Sequence, residues 1–243
     1  MLDIRKVNVY YYTIFALIAT AVAGLTFIGF SSTFIIPLII LPFVTQTTEI
    51  ILKGIKLGKW GYSPSATITG FILAMVLSPL PLYAQIIVGM VAILQKYIIR
   101  RDRRHIFNPA AFGLLFAWLA FGTPPAWWAA ATPAVFLFLF SDYLIGRLPL
   151  ALTFYMVYVG LVSGIGYFAT GTFSPSLLSY PLLFFALVMV VEPRTSAITK
   201  TGMITEGILL AIGIFAVQRF VPIDLFVPAL LLANILVHFR VLK

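Results

Sequence analysis

Cysteine does not occur in this chain, and histidine occurs only at His105 and His238. The first absence excludes disulfides, thiolate metal ligands and a cysteine-held iron–sulfur cluster within the chain. The second argues against a haem or zinc centre built from protein ligands alone. Charge is scarce too: Asp, Glu, Lys and Arg make up 9% of the residues, against roughly 25% in a soluble domain. Neither a phosphate-binding Gly-rich motif, nor a nucleophile elbow, nor a metalloprotease helix occurs. A soluble enzyme, a disordered tail and a nucleic-acid-binding domain are thereby excluded.

Apolar residues dominate instead. They make up 62% of the 243 residues, and the mean hydropathy is +1.08. On so apolar a chain, the net charge of +9 is a topological signal. It reports which side of a membrane the basic residues occupy. The opening MLDIRKVNVYYYTIF starts basic and enters an apolar stretch long enough to span, at about 20 residues per crossing. It reads as a retained first membrane helix and not as a cleaved signal peptide.

Apolar segments separated by polar or Pro/Gly punctuation predict ten elements. They run Val9–Phe30, Thr33–Leu52, Ser65–Leu77, Tyr83–Ile99, Phe107–Phe121, Trp127–Phe140, Leu150–Phe168, Leu178–Val191, Ile204–Phe220 and Leu225–Phe239. The third, fifth and eighth are short for a full crossing and suit half-helices buried in protein or lining a cavity. With the N-terminus inside, ten crossings put 15 of the 16 basic residues on the cytoplasmic side, Arg219 being the exception. The expected protein is an all-α polytopic membrane protein in the plasma membrane. It forms a single domain over residues 1–243, with both termini cytoplasmic.

An internal repeat refines this plan. ITGFILAMVLSP (Ile68–Pro79) resembles YPLLFFALVMVVEP (Tyr180–Pro193). Each precedes a long apolar helix and then a helix opening with FNPA (Phe107–Ala110) or FVPA (Phe226–Ala229). The chain divides into five-element units over about 9–121 and 127–241. The crossing count gives them opposite orientation, the inverted plan of transporters and channels, with a site between the halves.

Polar residues within such a chain are the functional candidates. Glu49 and Glu206 lie near the cytoplasmic face, where Lys53 or Lys200 is within reach as partner. Lys96 either snorkels to the interface or faces an anionic group. In RRDRRHIFNPAAF the arginines suit anionic lipid. Asn108, before Pro109, suits a helix N-cap and also a planar heterocycle that needs both donor and acceptor. EPRTSAITKTG (Glu192–Gly202) offers Thr195, Ser196, Thr199 and Thr201 as helix caps, or, with Arg194 and Lys200, a phosphate or carboxylate site. Ser65, Thr67 and Thr69 put hydroxyls on a short helix. Tyr10, Tyr11, Tyr12, Trp127 and Trp128 read as interfacial belt residues.

KYIIRRDRRHIFNPAAFGLLFAW, EPRTSAITKTGMITEGILLAIG and SATITGFILAMVLSPLP, taken together, carry a resemblance. They are similar, in order, to segments of the NqrB/RnfD family. Its members are membrane subunits of the sodium-pumping NADH:quinone oxidoreductase and of the Rnf electron-transport complex. The resemblance implies a ten-helix inverted repeat akin to urea-transporter-type channels. It also implies a flavin-bearing subunit among other membrane and peripheral subunits. A pocket for non-covalent FMN or riboflavin would draw on Asn108, Pro109, Lys96, Thr195, Ser196, Lys200 and Thr67. In the family a threonine in a long outward loop carries FMN covalently. Here that loop is only GTPPAWWAAATPAV, where Thr132 is a faint echo. The glycine-rich run before the Asn-Pro-Ala helix is replaced by Arg-Arg-Asp-Arg-Arg. Three functions follow: an electron-transport component with flavin that couples electron transfer to ion transport, a channel or transporter for a small solute or flavin, and a ligand-free assembly scaffold.

Overall fold

A computed structural model describes residues 8–101, 104–130, 132–171, 179–221 and 223–239. Among the expected features, Arg5, Lys6, Arg103, Arg240 and Lys243 fall outside these residues. The described chain is all-α apart from one two-strand hairpin. Its ten helices keep the predicted order.

Helix α1 (Val9–Ile28) starts where Asn8 accepts the N–H of Tyr10 and ends at Gly29, whose φ of 93° needs no side chain. Ser31 caps α2 (Ser32–Leu57), and Gly58 ends it in the left-handed conformation. Pro37 and Pro42 both lie inside α2 and do not stop it. Thr45 Oγ1 donates among the nearby carbonyls of Leu41, Pro42 and Ala66. The last of these ties α2 to α3 (Pro64–Val76), which begins with proline at its first turn. Gly70 makes the contact tight: a Cβ there would stand 2.4 Å from Pro42 Cα.

Helix α4 (Leu82–Ile98) leads to the hairpin β1 (Arg100–Arg101) and β2 (Arg104–His105). Helix α5 (Pro109–Phe121) follows and ends at Gly122, again left-handed. Helix α2 packs on α3 and α4, and α4 packs on α5.

The short α3 ends within protein. The loop after α5 covers its last carbonyls: Ala126 N–H reaches Val76 O at 2.7 Å, and the Trp128 indole reaches Ala74 O at 2.8 Å. A terminus that stops in an apolar environment needs such partners. Trp127 and Trp128 are consequently buried. This corrects the expectation of belt residues for both, since the Trp128 indole N–H is spent on Ala74 O and that of Trp127 on the half-buried Asp224 carboxylate. Tyr10 and Tyr11 are exposed, whereas Tyr12 donates to Leu137 O at 3.0 Å.

The sixth predicted element is three pieces: a 3-10 turn at Trp128–Ala130, a second at Pro133–Leu137, and α6 (Phe138–Leu144). Pro133 interrupts the α pattern. Then come α7 (Leu148–Thr170), α8 (Tyr180–Phe184), α9 (Lys200–Gln218) and α10 (Phe226–His238). Helix α8 widens into a π-helical stretch, Phe185–Met189. Helix α7 packs on α9, α9 on α10, and α10 on α5. Phe185 centres a ring cluster: Phe226 lies 5.0 Å away, Phe154 5.3 Å and Trp127 6.0 Å, centroid to centroid.

Helices α1, α2 and α9, with the Leu148–Ile165 part of α7, are long and apolar enough to cross a membrane. Their outward faces carry large apolar side chains, such as Phe15, Phe27, Ile39, Phe43 and Met156. Water does not tolerate an apolar surface this continuous. The chain is a membrane protein with lipid as its surroundings.

Candidate functional site

One end of the molecule collects the polar chemistry. Lys56, near the end of α2, donates to Tyr97 O at 3.2 Å. From the hairpin, Arg104 donates to Pro193 O at 3.1 Å and His105 Nε2 lies 3.1 Å from Glu192 Oε1. Arg147, between α6 and α7, reaches the carbonyls of Pro193 and Ala197. The ends of α2, α4 and α6 and the loop after the π stretch are thereby joined.

A cavity of about 580 Å³ opens at this end. It lies between the first part of the chain and the second. Asn8 to Thr13 at the start of α1 line it, as do the first turns of α3 (Ser65 to Ile72) and the start of α5 (Asn108 to Ala110). The opposite wall is α6, from Phe138 to Ile145, and the stretch from Leu187 to Arg194. Ile68, Ile72, Phe138, Leu187 and Val188 make most of the surface apolar. The N-termini of α1, α3 and α5 all meet it, so it faces the positive ends of three helix dipoles.

Of the residues expected to form a pocket, Asn108 and Pro109 line this cavity. The Asn108 side chain is already engaged there. Its Oδ1 accepts Ala111 N–H at 3.0 Å, and its Nδ2 donates to Met189 O at 3.0 Å. Met189 O belongs to the π stretch, and Asn108 satisfies it. The cap reading of Asn108 holds, and its amide is spent on protein.

Lys96 does not snorkel. It forms a buried ion pair with Glu49 at 2.8 Å, and Tyr97 Oη donates to the other Glu49 oxygen at 3.0 Å. This replaces the expected partnership of Glu49 with Lys53. Lys96 Nζ also stands 3.4 Å from Ser65 Oγ, on the cavity wall. Thr67 bonds with the side-chain amide of Gln46 at 3.2 Å. Thr69 donates back to Ser65 O at 2.9 Å.

In the second loop Thr195 Oγ1 donates to Glu192 Oε2 at 3.1 Å, and Ser196 Oγ donates to Glu192 O at 2.8 Å. Thr199 caps α9 by accepting Gly202 N–H. Lys200 is exposed at the start of α9. Glu206 accepts Ala197 N–H at 2.8 Å instead of pairing with Lys200. Thr132 is fully buried, and its hydroxyl has no hydrogen-bond partner. The cavity therefore gathers the neighbours of several expected residues, namely Ser65, Thr69, Glu192 and Arg194, and leaves Thr67, Lys96, Thr132, Thr195, Ser196 and Lys200 behind its walls or away from it.

The residue missed in the sequence is Asp142. It lies in α6, lines the cavity, and is 1% exposed. Its Oδ2 has no hydrogen-bond partner. The available signal was a lone acid in the apolar run FLFSDYLIG, of the same kind as Glu49 and Glu206.

Compared with known proteins, the chain matches no family model and no curated sequence.

Proposed function

We propose that this protein is a membrane subunit of an electron-transport complex of the Rnf and sodium-pumping quinone-reductase type, holding a flavin non-covalently. The observation that carries the reading is the cavity itself. Its volume of about 580 Å³ falls in the range of small-molecule and cofactor sites. Its lining is mostly apolar, with a few polar side chains on both walls, which suits a flat ring that also bears polar groups. The likeness of its motifs to those subunits points the same way. On this reading the basic end is cytoplasmic, both termini are inside, and the membrane is the plasma membrane.

The residues fit such a ring. Ile68, Ile72, Phe138 and Leu187 would pack on its faces and keep water out. Ser65, Thr69, Ser141 and Asp142 would address its edge, and Arg194 at the rim would meet a phosphate if the ligand is FMN. A bound flavin supplies the redox chemistry, and the chain supplies position, dryness and local charge. Covalent attachment at Thr132 would require the segment around its buried hydroxyl to open.

The two packing sets are consistent with an inverted repeat, since α7 lies on α9 as α2 lies on α4. That plan, with α3 ending inside protein and α8 widening into a π stretch, supports a second reading: a channel or transporter for a small solute.

Purification in mild detergent, followed by acid precipitation, tests the first reading. Flavin absorbance and fluorescence should appear in the supernatant. Fluorescence that stays with the chain in a denaturing gel would instead mean covalent attachment. Flavin-free protein from several preparations, together with solute uptake into proteoliposomes, would replace the first reading by the second.

A further inference from the structure

The polar groups on the cavity wall are almost all committed. Both Glu192 oxygens are engaged, by His105 and Thr195. Asn108 uses its carbonyl and its amide on backbone groups. Ser65 meets Lys96, Thr69 donates to Ser65 O, Ser141 donates to Phe138 O at 2.8 Å, and Thr13 donates to Val9 O at 2.9 Å. Asp142 differs. Among the described residues no hydrogen bond or ion pair reaches its carboxyl, although the residue is 1% exposed. Arg147, five positions on, bonds the Asp142 backbone carbonyl through its own N–H at 2.8 Å. It turns its guanidinium away, to Pro193 O and Ala197 O. A buried polar group without a partner is costly, and Asp142 lines the cavity.

We propose that Asp142 is the recognition residue of the cavity, and that its ligand is an uncharged ring presenting an N–H on one edge. The inference rests on the cavity being the ligand site, as proposed above. Asp142 supplies the acceptor that such an N–H needs. A cationic ligand is disfavoured because the N-termini of α1, α3 and α5 meet the cavity and Arg194 is among its lining residues. A ligand N–H gives the carboxyl oxygen the partner it lacks within the protein. The imide N–H of an isoalloxazine ring meets the requirement, and so does any lactam or pyrimidine-like edge. The apolar residues across the cavity receive the rest of the ring.

The test uses the full chain in detergent, with riboflavin and 3-methylriboflavin as probes. The second differs from the first in having the imide N–H replaced by N–CH3. Dissociation constants come from fluorescence quenching and equilibrium dialysis. Wild-type protein should bind riboflavin about tenfold more tightly than the methylated ring, the size expected for one buried hydrogen bond. Asp142→Leu should weaken riboflavin by about tenfold and lose the preference. Asp142→Asn keeps an acceptor oxygen and should keep the preference. Gel filtration and thermal melting check that the variants fold, and the wild-type comparison of two ligands needs no variant.

Equal affinities for the two flavins in the wild type, or undiminished riboflavin binding by folded Asp142→Leu, overturn the role of Asp142 and leave the cavity as a flavin site. A fall in Asp142→Asn as large as in Asp142→Leu overturns the acceptor role, because the amide oxygen would then fail to take the place of the carboxyl oxygen. Wild-type protein that binds neither flavin overturns the cavity reading and this inference together.

Discussion

The backbone N–H of Asn108 donates to Oδ1 of Asn234 at 2.9 Å, and Asn234 Nδ2 donates in turn to Thr195 O at 3.3 Å. One fully buried side chain thus joins the start of α5, the middle of α10 and the loop that walls the cavity. Asn234→Leu strands a donor and an acceptor, at about 1–3 kcal/mol for each. The variant should melt well below the wild type in detergent. Leu232→Ala, on an outward face of the same helix, should change stability by no more than about 0.5 kcal/mol.

Glu49 and Lys96 should behave as a unit. Removing one partner leaves a buried charge without its counterpart, so Glu49→Gln or Lys96→Met should each cost about 3–5 kcal/mol. The double variant should cost clearly less than the two losses combined. A double-mutant cycle of unfolding midpoints measures the coupling. Additive losses would mean that the 2.8 Å contact contributes nothing of its own.

Much of the architecture is legible in the sequence because a bilayer leaves few options. Apolar run length and basic-residue position place all ten elements, most ends lying within about four residues of the structural ones. Shape within the elements is not legible in this way. The second element is predicted straight through Pro37 and Pro42, and α2 does run through both, but the tie of Thr45 to Ala66 O and the close approach of Gly70 to Pro42 carry no signal in the sequence. Trp127–Phe140 looks like one span, and the structure has three pieces over Trp128–Leu144. The site is less legible still. Asn108, Lys96 and Glu49 stand out by type, but their partners lie far along the chain: Met189 for the first, and each other for the second and third. Asp142 is a lone acid in an apolar run, but its lack of a partner is a property of the fold alone.

Two glycines should respond in opposite ways to alanine. At Gly70 the added methyl meets the Pro42 backbone, which a flexible side chain cannot relieve. Gly70→Ala should therefore destabilise by about 1–3 kcal/mol. Gly160 has open space around it in α7, and alanine is the better helix former there by about 1 kcal/mol. Gly160→Ala should be neutral or stabilising in thermal melts.

The absence of cysteine makes the proposed orientation directly measurable. Lys59→Cys lies just beyond α2, and Ala126→Cys lies in the loop after α5, both exposed. In intact cells an impermeant maleimide should label Ala126→Cys and spare Lys59→Cys. In inverted vesicles the pattern should reverse. Labelling of both from one side would contradict the arrangement.

The Glu49–Lys96 pair also bears on how the chain enters the membrane. Either residue alone raises the cost of inserting its helix, by at most the roughly 2.5–3.5 kcal/mol that applies at the bilayer centre. The compensating contact spans 47 positions of sequence, with all of α3 synthesised in between. Helix α4 thus becomes fully at home in lipid only after α2 is there to receive it. Biogenesis of the N-terminal part acquires a direction: α2 waits with its carboxylate, and the arrival of α4 closes the bundle around α3.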